Sequence, residues 1–420
     1  MHHETSLITT MAVGLALACL LALVAHRLRL PLIAGYLMAG VVIGPFTPGY
    51  VADQEIATQL AEMGVILLMF GVGLHFSPKD LMAVKSIAVP GAIGQIAVAT
   101  AVGTGLALLL GWSLGASIIF GLCLSVASTV VLLRALQDRD QARSDQGRIA
   151  VGWLVVEDLV MVIALVLIPP LSGLLGGDRQ PVDPEVAEVA RLGLGTIGAT
   201  LAITLAKVAA FVAVMLIGGR RVVPWMLHYT AHTHQRELFR LSVLSIALGV
   251  AWLASAVFGV SFALGAFFAG MVMSTSTLSA QAMRDTLPFR DAFAVLFFVS
   301  VGMLFNPAGL VGQPFSLAAT VLIIVAVKSV AAYGIVRAFG HDRTVALTIA
   351  AALAQIGEFS FILVVMAEDL GIVPPEARDL VVAGALVSIL INPLLFRALD
   401  RRNAASALPP EDLAPQEKAA

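Results

Sequence analysis

"LLMFGVGLHFSPKDL" (67–81) aligns without a gap on "LFFVSVGMLFNPAGL" (296–310), and the meaning of that match decides the fold. Leu67, Val72, Gly73, Phe76, Pro78 and Leu81 recur as Leu296, Val301, Gly302, Phe305, Pro307 and Leu310. A neighbouring pair, "GYLMAGVV" (35–42) and "GAFFAGMV" (265–272), repeats at an offset one residue longer. Two adjacent matches at nearly one offset argue against coincidence between apolar sequences. The chain carries an internal duplication, and its geometry depends on how often the chain crosses a membrane.

It crosses many times. The residues are 59% hydrophobic and 12% charged, with a mean hydropathy of +0.96, whereas soluble domains carry about 25% charged residues. Apolar stretches predict thirteen spans, at 5–26, 31–49, 57–76, 86–111, 113–136, 147–170, 191–219, 238–257, 259–275, 289–305, 315–338, 344–367 and 377–397. The first has no basic flank before it and "HRLRLP" after it, so it reads as a retained helix rather than a cleaved leader. Cys19 and Cys123 both lie in apolar runs and imply neither a disulfide framework nor a metal site.

Basic residues fall on every second connector: Arg27/Arg29, Lys79/Lys85, Arg139/Arg143/Arg148, Arg220/Arg221/Arg236/Arg240, Arg284/Arg290, Arg337/Arg343 and Arg397/Arg401/Arg402. The positive-inside rule then places the N-terminus outside and the C-terminus in the cytoplasm, which requires an odd number of spans. The two repeat copies lie seven spans apart, also an odd number, so they cross the membrane in opposite directions. The expected fold is therefore an all-α polytopic membrane protein with two inverted six-helix repeats. Residues 1–176 and 236–400 form the repeats, 191–219 is a linker helix, and 401–420 is a polar cytoplasmic tail. Inverted repeats can exchange inward-open and outward-open shapes, which points to a transporter and away from an enzyme.

The same chain sets ionisable groups at membrane depth. Glu157 and Asp158 sit in "GWLVVEDLVMV" (152–162), and Asp158 is ten residues from the flanking Arg148. That spacing is roughly 15 Å along a helix, half of a bilayer core. Lys328, in "VLIIVAVKSVAAY", is nine residues from Arg337 and reaches similar depth. Each such group costs at least about 2.5–3.5 kcal/mol on insertion scales, so these residues line a cavity or pair with one another. Adjacent residues differ by about 100° around a helix, so one acid can face Lys328 while the other faces a cavity. A purely structural ion pair is the competing account, but it leaves one of the two acids without a purpose.

The fifth span carries "LSVASTVVLL" and the twelfth "LAQIGEFSFIL", placed opposite each other by the repeat offset. Ser125, Ser128 and Thr129 in one, and Gln355, Gly357, Glu358 and Ser360 in the other, fall near mid-depth. The repeat favours two unwound crossings over continuous helices whose hydroxyls bond back to their own carbonyls. Glu358 is either a structural bridge at the crossing or a ligand of the transported ion. Lys207, in the linker span, reads as a structural or snorkelling contact. "GLGTIG" (193–198) has the dinucleotide-binding glycine spacing but no strand before it, so small-residue helix packing is the better account. His228, His232 and His234 in "HYTAHTHQ" read as a solvated cytoplasmic loop rather than a metal or pH-sensing site. No nucleic-acid partner and no resident cofactor is expected.

Taken together, "LPLIAGYLMAGVVIGP", "VILLMFGVGLHFSP", "CLSVASTVVLLRAL", "GWLVVEDLVMV", "FALGAFFAGMV", "FAVLFFVSVGMLF" and the stretch around "AQIGEF" resemble the Kef-type branch of the second monovalent cation:proton antiporter family. The resemblance covers roughly residues 1–400. It implies a thirteen-helix homodimer in the bacterial inner membrane, each protomer having a scaffold and a mobile core with two crossed broken helices. It also implies that Asp158 binds cation and proton in turn, that Lys328 is the charge partner, and that Ser128–Thr129 and Gln355–Glu358 are the two breaks. Glu157 departs from the glutamine that other Kef-type chains carry, which puts the coupling stoichiometry in question. Kef-type chains usually continue into a cytoplasmic nucleotide-binding regulatory domain. Residues 401–420 are too few to form one, so such a domain would belong to a longer chain.

The expected function is exchange of K⁺, with Na⁺ as the competitor, for protons by an elevator movement. Ser125, Ser128, Thr129, Glu157 and Asp158 are expected to bind ion and proton, Asp158 holding the monovalent cation. A carboxyl taken out of water favours its neutral form, while a bound cation favours the charged form, so the two ligands exclude each other. Two rivals remain at the level of sequence. A gated K⁺ efflux channel would carry flux without proton counterflow, and a membrane sensor would transport nothing.

Overall fold

The computed structural model describes the backbone of residues 6–28, 30–75, 78–137, 139–141, 144–177, 195–308 and 312–406. The acidic connector at 178–194, the first two residues of "GLGTIG", Phe76 and Leu310 of the aligned repeat, and the tail from 407 lie outside the described residues.

The helices follow in order as α1 (Ser6–Arg27), α2 (Leu32–Ile43), α3 (Gln54–His75), α4 (Pro78–Leu109), α5 (Leu114–Ser125), α6 (Thr129–Gln137) and α7 (Asp145–Leu171). Then come α8 (Gly195–Val214), α9 (Arg220–His232), α10 (Arg236–Phe258), α11 (Phe262–Ser274) and α12 (Ser279–Leu304). The last are α13 (Pro314–Leu322), α14 (Lys328–Ala338), α15 (Arg343–Ala352), α16 (Glu358–Asp369) and α17 (Pro375–Ser406). Single π turns, Met215–Gly219 and Ile323–Val327, join α8 to α9 and α13 to α14.

Local chemistry sets several of these ends. Ser113, Ser144 and Ser261 cap α5, α7 and α11 by accepting the N–H of Ala116, Gly147 and Leu264. Gly259, at φ 63°, closes α10 in the left-handed region. Among the described residues, nine helical stretches are long and apolar enough to cross a membrane. The shorter α2 and α11, and the interrupted pairs α5/α6 and α15/α16, supply the remaining positions of a thirteen-span chain. Large apolar side chains such as Leu23, Ile217, Trp252 and Val330 are exposed on the outer surface, where lipid would cover them. This is a multi-pass membrane protein.

The helices form two bundles. In the first, α3 packs on α11 and α12, α2 on α1 and α12, and α10 on α11. In the second, α4 packs on α5, α7 and α14, α16 on α5, and α17 on α13, α15 and α16. The bundles meet where α11 touches α7 and where α17 touches α2 and α12.

The repeat explains the first bundle. A Cβ on Gly302 would overlap the Leu37 carbonyl, and one on Gly40 would overlap the Val299 carbonyl. Its counterpart is the pair Gly73 and Gly270, whose added Cβ atoms would overlap the carbonyls of Phe267 and Phe70. The sequence match pairs Gly40 with Gly270 and Gly73 with Gly302, so one backbone-to-backbone crossing occurs twice. Small residues are kept there because only they allow the backbones to approach so closely.

Two elements depart from the sequence reading. The linker does not end near 219, because after its π turn the chain continues as α9 through His232. Val223, Leu227 and Thr230 bury one face of α9, and the Thr230 and Ser242 hydroxyls lie 3.1 Å apart. His228 and His232 are therefore on an amphipathic helix rather than in a loop. The tail does not start at 401 either, since α17 runs to Ser406. Arg139 holds it there through an ion pair to Asp400 at 3.1 Å and by lying 4.3 Å over the Phe396 ring.

Candidate functional site at the helix crossing

Both candidate broken spans are broken. Residues 126–128 leave the helix between α5 and α6, with Val126 extended at φ −101°, ψ 134°. The second break ends at Gly357, which is also extended before α16 begins. The two unwound segments touch directly. A Cβ on Gly357 would overlap the Ser128 backbone and side chain. Gly357 is thus required for space rather than for its dihedral angles. Gly357→Ala must push the two unwound segments apart, and overpacking of this kind costs about 1–3 kcal/mol. The expected result is a lowered melting temperature together with a sharp loss of transport. Wild-type behaviour on both counts would mean that the crossing is loose.

Side chains satisfy the backbone groups that the breaks expose. The Ala127 N–H donates to Glu157 Oε2 at 2.8 Å. Gln355 bridges the crossing: its Oε1 accepts the Ser128 N–H at 2.9 Å, and its Nε2 donates to the Ser128 carbonyl at 3.1 Å. The Ser128 hydroxyl donates to Glu358 Oε2 at 3.1 Å, and the Thr129 hydroxyl to Asp158 Oδ2 at 3.2 Å. Glu358 also sits in the first turn of α16, where a carboxylate favours the helix dipole. Ser125 turns its hydroxyl back to the Leu122 carbonyl at 2.8 Å. All the predicted site residues except Thr129 are buried.

Lys328, fully buried, donates its ammonium to the Gln355 carbonyl at 2.9 Å. Among the described residues it makes no direct ion pair with a carboxylate; its electrostatic neighbour is Glu157. Asp158 interacts electrostatically with both Glu157 and Glu358, so three acids share the crossing with one lysine. Among the described residues, Asp158 Oδ1, Glu157 Oε1 and the Ser360 hydroxyl are buried and have no hydrogen-bond partner. Leaving a buried carboxylate oxygen unmatched is costly, and a proton or a cation removes that cost.

Three contributors were not apparent from the sequence. Gln95 and Trp153 are buried beside the first break, and Gln95 donates to the Ser125 carbonyl at 2.7 Å. Gln95 has a weak signal, a lone amide in the apolar run "GAIGQIAVAT". Arg290, on α12 of the other bundle, acts electrostatically on Glu358. The remaining candidates lie elsewhere. Lys207 is on α8. His232 and His234 direct Nδ1 to the carbonyls of His228 and His232, at 2.7 and 2.8 Å. Among the described residues no three His, Cys, Asp or Glu side chains are grouped to hold a metal ion.

This geometry has known relatives. Residues 13–399 match the family model described as sodium/hydrogen exchanger, transmembrane. The chain is 57% identical over 401 residues to "Putative cation/proton antiporter YbaL" of Escherichia coli (strain K12), covering 96% of this chain and 70% of that protein. It is 32% identical over 371 residues to K(+) efflux antiporter 4 of Arabidopsis thaliana, covering 88% of this chain and 60% of the plant protein. The solved sodium proton antiporter MjNhaP1 of Methanocaldococcus jannaschii superposes with a TM-score of 0.70, covering 95% of this chain and all of that one. At 15% identity that last likeness concerns the fold. The chain belongs to the sodium/hydrogen exchanger transmembrane family, within its second monovalent cation:proton antiporter group.

Proposed function

We propose that the chain exchanges a monovalent cation, K⁺ ahead of Na⁺, for protons across the bacterial inner membrane. The observation that carries this reading is the pair of buried oxygens on Asp158 and Glu157, without a hydrogen-bond partner among the described residues, beside two helix breaks. Either a proton or a cation can satisfy Asp158, but not both at once, and that exclusion couples the two flows. K⁺ is favoured because a relative named for K⁺ efflux aligns over most of the chain.

The two bundles support an elevator movement. Gln95, the α5/α6 break, Glu157, Asp158, Lys328 and the α15/α16 break all belong to the second bundle, which could carry the site as one body past the first. The first bundle would serve as the scaffold of a homodimer.

The test is flux in liposomes with an internal pH dye, comparing K⁺, Na⁺ and Li⁺ gradients. Proton movement driven by K⁺ is the expected result. Cation flux without proton counterflow would favour a channel, and no flux would favour a sensor. The proposed orientation, N-terminus outside and C-terminus inside, has its own test. A cysteine replacing Ala231 on α9 should react with an impermeant thiol reagent from the cytoplasmic side alone, and labelling from outside would invert the topology. Its external counterpart, Pro181, lies outside the described residues.

A further inference from the structure

The end of α5 leaves carbonyls without helical partners in the apolar interior. One of them, on Ser125, receives Gln95 Nε2 at 2.7 Å. Gln95 is in turn held, because its Oε1 accepts the Trp153 indole N–H at 3.1 Å. The indole packs against Gly91, one turn before Gln95 on α4, where a Cβ would overlap the ring. One turn beyond Trp153 on α7 is Glu157, which accepts the Ala127 N–H at 2.8 Å. The unwound residues 126–128 are therefore clamped by α4 on their carbonyl side and by α7 on their N–H side. Thr129, which bonds Asp158, follows immediately.

The second repeat contains the same device. Its α5 counterpart, α15, leads to a break whose Gln355 carbonyl receives Lys328 Nζ at 2.9 Å. The repeat offset superposes Ser125 on Gln355 and the α4 span on the α13–α14 span. Lys328 then falls within one helical turn of the position equivalent to Gln95. Each break thus has a carbonyl cap from the same related span, a neutral amide in the first repeat and an ammonium in the second.

We infer that Gln95 is a positioning residue for cation exchange: it is the uncharged counterpart of Lys328, fixing the first break, and hence Thr129 and Asp158, without adding positive charge beside the cation. Its neutrality matters as much as its hydrogen bond. An ammonium at Gln95 could still donate to the Ser125 carbonyl, but it would repel the cation that Asp158 must hold. This inference rests on the exchange reading above, and the two can fail separately.

The test uses the full chain, purified and returned to liposomes, with two readouts: apparent KM and kcat for K⁺-driven proton flux, and peptide-level hydrogen–deuterium exchange over 122–130. Gln95→Leu removes the amide at similar volume. It should raise KM about tenfold, the equivalent of one buried hydrogen bond, change the pH profile and expose 122–130 to exchange. Gln95→Lys keeps a donor, so it should retain near wild-type protection of 122–130 while still raising KM. Wild-type KM and protection in Gln95→Leu would overturn the inference. So would wild-type KM in Gln95→Lys, because neutrality would then be irrelevant. If Gln95→Leu does not fold, Gln95→Met, an unbranched side chain of similar length without the amide, carries the same test, and wild-type KM and protection in it would be equally fatal. Absence of flux from the wild-type chain would instead remove the exchange reading, and protection of 122–130 in the variants would still decide whether Gln95 clamps the break.

Discussion

Asp158→Asn is expected to give a protein that folds and melts like the wild type but moves no more protons on a K⁺ gradient than protein-free vesicles do. The substitution hardly changes volume, and the Thr129 hydroxyl, 3.2 Å from Oδ2, keeps an acceptor at the same place. Glu157 keeps the Ala127 N–H, and Gln355 still ties the two breaks together. The framework of the crossing is therefore untouched. What disappears is a group able to hold a proton in one state and a cation in the other. The change also removes a charge from a cluster of three interacting acids, so stability should not fall and could rise. Loss of flux with retained melting is the signature of a coupling residue. Wild-type exchange would hand that role to Glu157, the other acid with an unmatched buried oxygen.

How such a site could be read in advance varies by residue. The crossing of α2 with α12, and of α3 with α11, was legible because backbone contact leaves no room for a side chain. Gly40, Gly73, Gly270 and Gly302 therefore persisted in both copies and could be matched. The breaks were legible only through the repeat. Nothing in "LSVAST" or "LAQIGEF" forbids a helix, and what unwinds them is tertiary: Glu157 takes the Ala127 N–H and Gln355 takes both polar groups of the Ser128 backbone. Charged residues stand out by their insertion cost, which a neutral amide does not share to the same degree, so Gln95 carries little signal in the sequence. The stretch Arg220–His232 read as a loop because its arginines, histidines and Pro224 mask a short buried face, and only packing on α10 reveals it. Depth could be counted from flanking arginines, which placed Lys328 with Asp158. Counting cannot say what its ammonium touches.

That last point sets the largest stability effect expected in the molecule. Lys328 does two things: it donates to the Gln355 carbonyl and supplies the positive charge that Glu157 feels. Lys328→Met removes both from a fully buried position. Removing one member of a buried charge pair costs about 3–5 kcal/mol, whereas removing both can be nearly neutral. The single variant should therefore melt well below the wild type in detergent. Adding Glu157→Gln should recover most of the loss, because no charge is then left unbalanced, although the Gln355 carbonyl still lacks its donor. That residue of the effect, about 1–3 kcal/mol for an unsatisfied buried acceptor, should persist in the double variant. The rival arrangement, in which Lys328 serves Asp158, predicts rescue by Asp158→Asn instead. The structure favours Glu157, since Lys328 and Glu157 act on each other, whereas the charges acting on Asp158 are those of the two other acids. A melting-temperature cycle over the three single and two double variants separates these cases. Rescue by neither double variant would show that the carbonyl bond is the whole contribution of Lys328 to stability. The lysine would then be a cap for the second break, as Gln95 is for the first, and its charge would have to be explained by transport rather than by stability.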